Sequence, residues 1–276
     1  MKVIDDLTKL EQPRNAVVTS GTFDGVHVGH QKILQRINKL ARDNNGQSVV
    51  VTFWPHPRFV LGNGWGDLKL LTTFEEKAEL LAENGIDFLV KVPFTRAFSE
   101  LSSADFIREV LVDKIGTRKL IIGYDHKFGK NREGSFEYLK ENQELFGFEI
   151  EEISRQDIDS VGVSSTKIRE ALLSKDVGTA QKLLGRPYHL KGIVTKGDQL
   201  GRKLGYPTAN IYIAEEFKLI PADGVYAVRV HMNTGSYQGM LNIGVRPTIS
   251  GKRRQIEVNI FDFGEDIYGR SIQLEF

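Results

Sequence analysis

Apolar and polar positions follow two rhythms along the first part of the chain. Short runs that are mostly apolar predict strands: Ala16-Val17-Val18, Ser48–Phe53, Ile86–Val92, Leu120-Ile121-Ile122 and Phe148–Ile153. Between them apolar residues recur at helical spacing, as in Gln31-Lys32-Ile33-Leu34-Gln35-Arg36-Ile37. Thr73-Phe74-Glu75-Glu76 has the form of a capping box and predicts a helix to Asn84, stopped by Gly85. Ser102-Ser103-Ala104-Asp105 opens a helix ending near Gly116, and Ser164-Ser165-Thr166 caps one through Leu173. Such alternation predicts an α/β fold, a Rossmann-like, doubly wound and mostly parallel sheet with helices on both faces. Ligands then bind beyond the carboxyl ends of the strands.

After Gly185-Arg186-Pro187 the helical spacing disappears. Alternating runs take over at Val225–Val230, Met240–Ile243 and Ile256–Phe261, separated by the turn signals Asp223-Gly224 and Asn233-Thr234-Gly235. They predict a small antiparallel β-barrel, so the chain divides near 185 into 1–184 and 185–276.

Composition narrows the function. The chain has 276 residues, 40% of them hydrophobic, enough for two cores. A net charge of +1 gives no electrostatic footprint for nucleic acid or an anionic membrane. With no cysteine there is no disulfide and no thiolate chemistry. The acidic start Met1-Lys2-Val3-Ile4-Asp5-Asp6 lacks the apolar run of a signal peptide, and no stretch is long enough to span a bilayer. The expectation is a soluble cytoplasmic protein whose partners are small molecules.

The segment Gly21-Thr22-Phe23-Asp24-Gly25-Val26-His27-Val28-Gly29-His30 joins the first strong strand to a helix. A glycine-rich turn at a helix N-terminus presents backbone N–H groups to an anion. His27 and His30, three residues apart, share a helix face and suit a phosphate whose charge grows during reaction. A metal site on this pair is the weaker reading, because no third ligand stands at a telling spacing.

Eight segments in order resemble the bifunctional bacterial FAD synthetases, which combine riboflavin kinase with FMN adenylyltransferase. The first four are Gly21–His30, Thr52-Phe53-Trp54-Pro55-His56-Pro57, Gly123-Tyr124-Asp125-His126-Lys127-Phe128-Gly129 and Ser164-Ser165-Thr166-Lys167-Ile168-Arg169. The other four are Gly205-Tyr206-Pro207-Thr208-Ala209-Asn210, Gly224-Val225-Tyr226, Asn242-Ile243-Gly244-Val245-Arg246-Pro247-Thr248 and Ile256-Glu257-Val258. The resemblance implies a nucleotidyltransferase domain followed by a kinase barrel. It implies ATP, riboflavin, FMN and FAD as substrates and products, and Mg²⁺ as cofactor.

For the adenylylation step the resemblance places Gly21, Phe23, His27 and His30 around the ATP phosphates. Ser164, Ser165, Thr166 and Arg169 would take an outer phosphate, although the same segment also reads as a plain serine-capped helix. Asp125 would read adenine or ribose. Trp54, Pro55, His56, Pro57 and Phe59 would pack the flavin ring, or else anchor the loop as core. Many relatives carry an acidic residue where Trp54 stands.

For the kinase step Gly197, Gly201 and Gly205 with Lys203 would let the backbone approach phosphates, and Pro207 would lead into the site. Thr208 and Asn210 would hold Mg²⁺ by oxygen. Glu257, projecting away from the barrel core, would accept the proton of the riboflavin 5′-hydroxyl. Relatives usually continue into a C-terminal helix. Here the sequence ends at Phe276, so the expectation is a kinase domain without that helix. A nucleotide- or RNA-binding protein is the rival from another class, disfavoured by the net charge.

Overall fold

The computed structural model of the chain describes residues 1–62, 68–124, 127–130, 133–154, 162–197, 207–248 and 251–276. The chain divides into two compact units, Met1–Ser164 and Ser165–Phe276.

The first unit is built on β1 (Lys2–Ile4), β2 (Ala16–Ser20), β3 (Ser48–Trp54), β4 (Phe88–Pro93), β5 (Thr117–Gly123) and β6 (Glu149–Ile153). They form one sheet in the order β1-β4-β3-β2-β5-β6. Every ladder is parallel. The helices are α1 (Val28–Asp43), α2 (Pro57–Leu61), α3 (Phe74–Glu83), α4 (Arg96–Ser99), α5 (Ser103–Phe106), α6 (Phe136–Glu141) and α7 (Gln143–Phe146).

Successive strand residues serve opposite faces. Val18, Val49, Val51 and Leu120 pack with Ile107, Val110 and Leu111 on one side. Val17, Val50, Leu89 and Ile121 pack with Leu34 and Ile37 of α1 and Leu81 of α3 on the other. Both faces are covered, which is why these strands are apolar throughout rather than alternating. Full burial of an aliphatic side chain such as Leu34 contributes about 1.5–3 kcal/mol.

The expected capping box is present. The Glu76 N–H donates to Thr73 Oγ1 at 3.1 Å and the Thr73 N–H to Glu76 Oε2 at 2.9 Å. Gly85, at φ +77°, closes α3.

The helix expected from Ser102 to Gly116 differs in its second half. After α5 the chain opens into wider π-type turns over Ile107–Lys114, and the Ile115 N–H bonds the Val110 carbonyl. Strict α-spacing would turn Lys114 toward the sheet. The wider winding buries Ile115 instead and leaves Lys114 in water.

The second unit opens with α8 (Ser165–Leu173) and α9 (Val177–Leu184). Asp176 caps α9 through the Thr179 N–H, and Gly185 closes it at φ +74°. The expected division near 185 falls between α9 and the next strand. The strands are β7 (His189–Thr195), β8 (Ala209–Tyr212), β9 (Gly224–Met232), β10 (Gly235–Thr248), β11 (Gly251–Ile260) and β12 (Ser271–Glu275). They close into an antiparallel barrel in the order β10-β11-β8-β7-β12-β9. Leu190, Val194, Leu241, Ile243, Val258 and Leu274 fill it.

Among the described residues no helix is long and apolar enough to cross a membrane.

Candidate active sites

In the first unit the chain runs outward from β2 through β3 to β4, then crosses back to β5 on the other side of β2. The carboxyl ends of β2 and β5 therefore flank a topological switch point, where open α/β sheets bind ligands. The Gly21–His30 turn leaves β2 at that point.

Its backbone is held in unusual conformations. Phe23 lies at φ +47°, Gly25 at +82° and Val26 at +38°. A β-branched residue in the left-handed region is strained. Asp24, 2% exposed, holds the turn in place. Its carboxylate accepts the N–H groups of Leu71 at 3.0 Å and Thr72 at 3.1 Å, together with the Thr72 hydroxyl at 3.3 Å. The Gly25 N–H donates to the same hydroxyl oxygen at 3.2 Å.

His27 caps α1. Its Nδ1 accepts the His30 N–H at 3.3 Å, which puts the ring proton of its neutral form on Nε2. The two imidazoles are stacked, with centroids 3.6 Å apart and planes at 14°, and the Phe23 ring lies 4.8 Å from His30. Burial first, then His27 and Lys77, hold the His30 imidazole well below the usual histidine range. His30 Nδ1 is buried and has no hydrogen-bond partner among the described residues. Gly21 lies beneath Phe23; a Cβ there would stand 3.2 Å from the ring.

Beyond β3, Trp54 packs its ring 5.8 Å from Phe74. Pro55 follows through a cis peptide bond. His56 caps α2 by accepting the Arg58 N–H at 3.2 Å, and Pro57 occupies the first turn of that helix. His56 and Phe59 are buried, with rings 5.8 Å apart, whereas Trp54, Pro55 and Pro57 are half-buried. Asp125, beyond β5, lies outside the described residues. Ser164 is the last residue of the first unit; Ser165, Thr166 and Arg169 stand in the first two turns of α8 in the second.

In the barrel, Glu257 on β11 lies directly across from Asn210 on β8 and from Asn242 on β10. Asn210 in turn faces Thr195 on β7. The neighbours Ile211, Ile243, Ile256, Val258 and Val194 point into the core, so the four polar residues form one row on the outer face. Thr208 stands two residues before Asn210, and the Pro207 carbonyl accepts the Asn259 amide at 2.7 Å. Gly197 lies against Asn210: a Cβ there would stand 2.7 Å from Asn210 Cγ. Gly201, Lys203 and Gly205 lie outside the described residues.

Two family models match in sequence, FAD synthetase over residues 9–167 and riboflavin kinase over 184–276. The chain belongs to the bifunctional riboflavin kinase/FMN adenylyltransferase family. It is 38% identical to the Escherichia coli K12 relative over 277 residues, covering 99% of this chain and 88% of that one. It is 39% identical to the Listeria monocytogenes relative over 263 residues, covering 95% and 83%. A crystallised protein of Streptococcus pneumoniae, described as a macrolide-efflux protein, superposes with a TM-score of 0.89 at 32% identity, covering 99% and 88%. Riboflavin kinase and FMN adenylyltransferase activities, and hence a part in flavin cofactor biosynthesis, follow from membership of the bifunctional family.

One buried charge beside this turn escapes sequence reading. Lys77 of α3 is 2% exposed, and burial pushes its ammonium down to about 8 against the pull of Asp24. The signal was available: Phe74, Lys77 and Leu81 follow helical spacing on the buried stripe of α3, where a lysine is out of place.

Proposed function

We propose that FMN is adenylylated at the Gly21–His30 turn and that riboflavin is phosphorylated on the Asn242–Glu257–Asn210 row. The first activity is assigned to residues 1–184 and the second to 185–276, acting on small molecules in the cytoplasm.

In adenylylation a phosphate oxygen of FMN attacks the α-phosphorus of ATP in line. The new P–O bond forms as the bond to pyrophosphate breaks. No protein nucleophile is required, so the protein contributes position and charge. Gly21, Phe23, His27 and His30 line the phosphate site; the parts of Ser164, Ser165, Thr166 and Arg169 with the outer phosphates, and of Asp125 with the nucleoside, rest on the sequence resemblance alone. Trp54, Pro55 and Pro57 offer half-buried surface to the flavin ring, backed by buried His56 and Phe59.

In the kinase step Glu257 accepts the proton of the riboflavin 5′-hydroxyl as that oxygen attacks the γ-phosphorus and ADP leaves. Proton transfer of this kind is worth roughly 10²–10⁴-fold. Thr208 and Asn210 offer uncharged oxygens, a donor set that suits Mg²⁺, and the bare Gly197 backbone packs directly against the Asn210 side chain, where a Cβ would clash. The ion, when bound there, would neutralise phosphate charge.

The observation that supports this reading is the direct cross-strand register of Glu257 with Asn210, the residues assigned here as base and oxygen ligand. The test is chromatography of flavin products with Mg-ATP. Wild type should convert riboflavin to FMN and FAD. Glu257→Gln should stop FMN formation yet still adenylylate supplied FMN. Loss of both steps in a folded Glu257→Gln protein overturns the division of labour.

A further inference from the structure

Lys77 is used by neither step as derived above, yet it lies beneath the first site. Its Nζ donates to Thr52 Oγ1 at 3.4 Å, and the Thr52 hydroxyl donates to the Thr22 carbonyl at 3.4 Å. That path runs from α3 through β3 into the Gly21–His30 turn. The ammonium also lies 5.4 Å from the centre of the Trp54 ring, over its face. Just before α3, Asp24 fixes the same turn through Leu71 and Thr72. One buried cation thus contacts the exit of β3 directly and reaches the turn after β2 through Thr52, the two segments to which flavin and nucleotide are assigned.

We propose that Lys77 is a positioning residue for FMN adenylylation: its buried ammonium ties the nucleotide turn to the Trp54 segment and holds a positive charge beneath the turn that carries His27 and His30. The proposal rests on the assignment of adenylylation to that turn. A buried cation is expensive to keep, and a methionine or leucine on the same stripe of α3 would pack at less cost. What the lysine supplies, below about pH 8, is a positive field on one side of His30. The charged and titratable groups around this point are His27 on α1, Lys77 on α3, Asp24 in the turn, and Lys91 of β4, which lies 4.4 Å over the Phe74 ring. Among the described residues, His27 and Lys77 are the groups whose charge opposes protonation of His30.

The test compares Lys77→Met, which removes the charge at similar volume, with Lys77→Arg, which keeps it, and with Thr52→Val, which breaks the path to Thr22 and leaves the charge. Each is assayed for FAD formation from FMN across pH, with FMN formation from riboflavin as the internal control. Lys77→Met should lose about tenfold or more in kcat for FAD formation with little change in KM. Its acid limb should move up, because His30 protonates more readily without the neighbouring cation. Lys77→Arg should keep the wild-type limb. Thr52→Val should lose kcat without a shifted limb, and kinase rates should stay at wild type throughout. A Lys77→Met profile that superimposes on wild type, or a uniform loss with an unmoved limb, overturns the proposal. Should Lys77→Met fail to fold, a wild-type rate of FAD formation in Thr52→Val overturns it. His27→Asn separates the two levels. Full FAD formation in that variant removes the site assignment itself, whereas its loss beside an unaffected Lys77→Met removes Lys77 alone.

Discussion

Gly197 of the barrel unit lies so close to Asn210 that no side chain fits between its backbone and the Asn210 amide. The contact is with the side-chain amide of Asn210, so an added Cβ is accommodated only by moving that amide. Gly197→Ala should therefore displace Asn210 from the row it forms with Glu257. The expected result is a loss of about tenfold or more in riboflavin phosphorylation, with FAD formation from supplied FMN unchanged. Steady-state assays of both steps, with Mg²⁺ titrated in the first, check it; an unaltered Mg²⁺ dependence removes Asn210 from the site.

His27 has two functions that can be separated. It caps α1 through Nδ1 and stacks on His30. His27→Asn keeps a capping oxygen and removes the ring, whereas His27→Ala removes both. The alanine variant should lose about 1 kcal/mol of stability, and the asparagine variant much less. Both should fail to form FAD from FMN. Thermal melts read beside product chromatography separate the cap from the chemistry.

Lys77 also makes a prediction about stability. Its amine titrates near 8 in the folded chain against 10.5 ordinarily, so the folded state holds fewer protons between those values. Stability should rise as pH climbs from about 8 to 10.5, and below 8 the fold carries the full cost of the buried charge. Lys77→Met should be at least as stable as wild type at pH 7 and should lack the alkaline rise. Urea melts at several pH values measure both; a large loss of stability at pH 7 would assign the lysine to the core.

His189 contributes on the acid side. Burial, followed by the nearby Lys218, Arg186 and Lys191, pushes its imidazole down to about 3, with Glu275 pulling the other way. The unfolded chain takes up the proton near 6.5 and the folded chain does not. Stability present above pH 6.5 should drain away as pH falls toward 3. His189→Gln should flatten that slope, by on the order of a few kcal/mol across the range. Chemical denaturation of the two proteins between neutral and acid pH compares them.

Much of this architecture was legible because its signals are local. The capping box at Thr73, the strand runs at Val17 and Val50, and the change of rhythm after Gly185 each depend on a few adjacent residues. The widened turns over Ile107–Lys114 were not legible, since only the sheet face decides whether Lys114 or Ile115 turns inward. In the sites, His27 and His30 announce themselves by spacing. The row of Asn210, Glu257 and Asn242 does not, because it is created by strand register between distant segments. Asp24 reads as a turn aspartate until the N–H donors of Leu71 and Thr72 on its carboxylate are seen. Asp125, Gly201, Lys203 and Gly205 lie outside the described residues and keep the standing that the sequence alone confers.

The strand beneath the His27–His30 turn is buried along its whole length and paired on both edges, to β3 and to β5. No partial opening can expose its amides without parting the sheet itself. Hydrogen exchange at Val17, Val18 and Thr19 should therefore proceed only through global unfolding. The strained turn at Phe23 and Val26 inherits that protection. It is mounted on the part of the domain that relaxes last, so its tension lasts as long as the fold does.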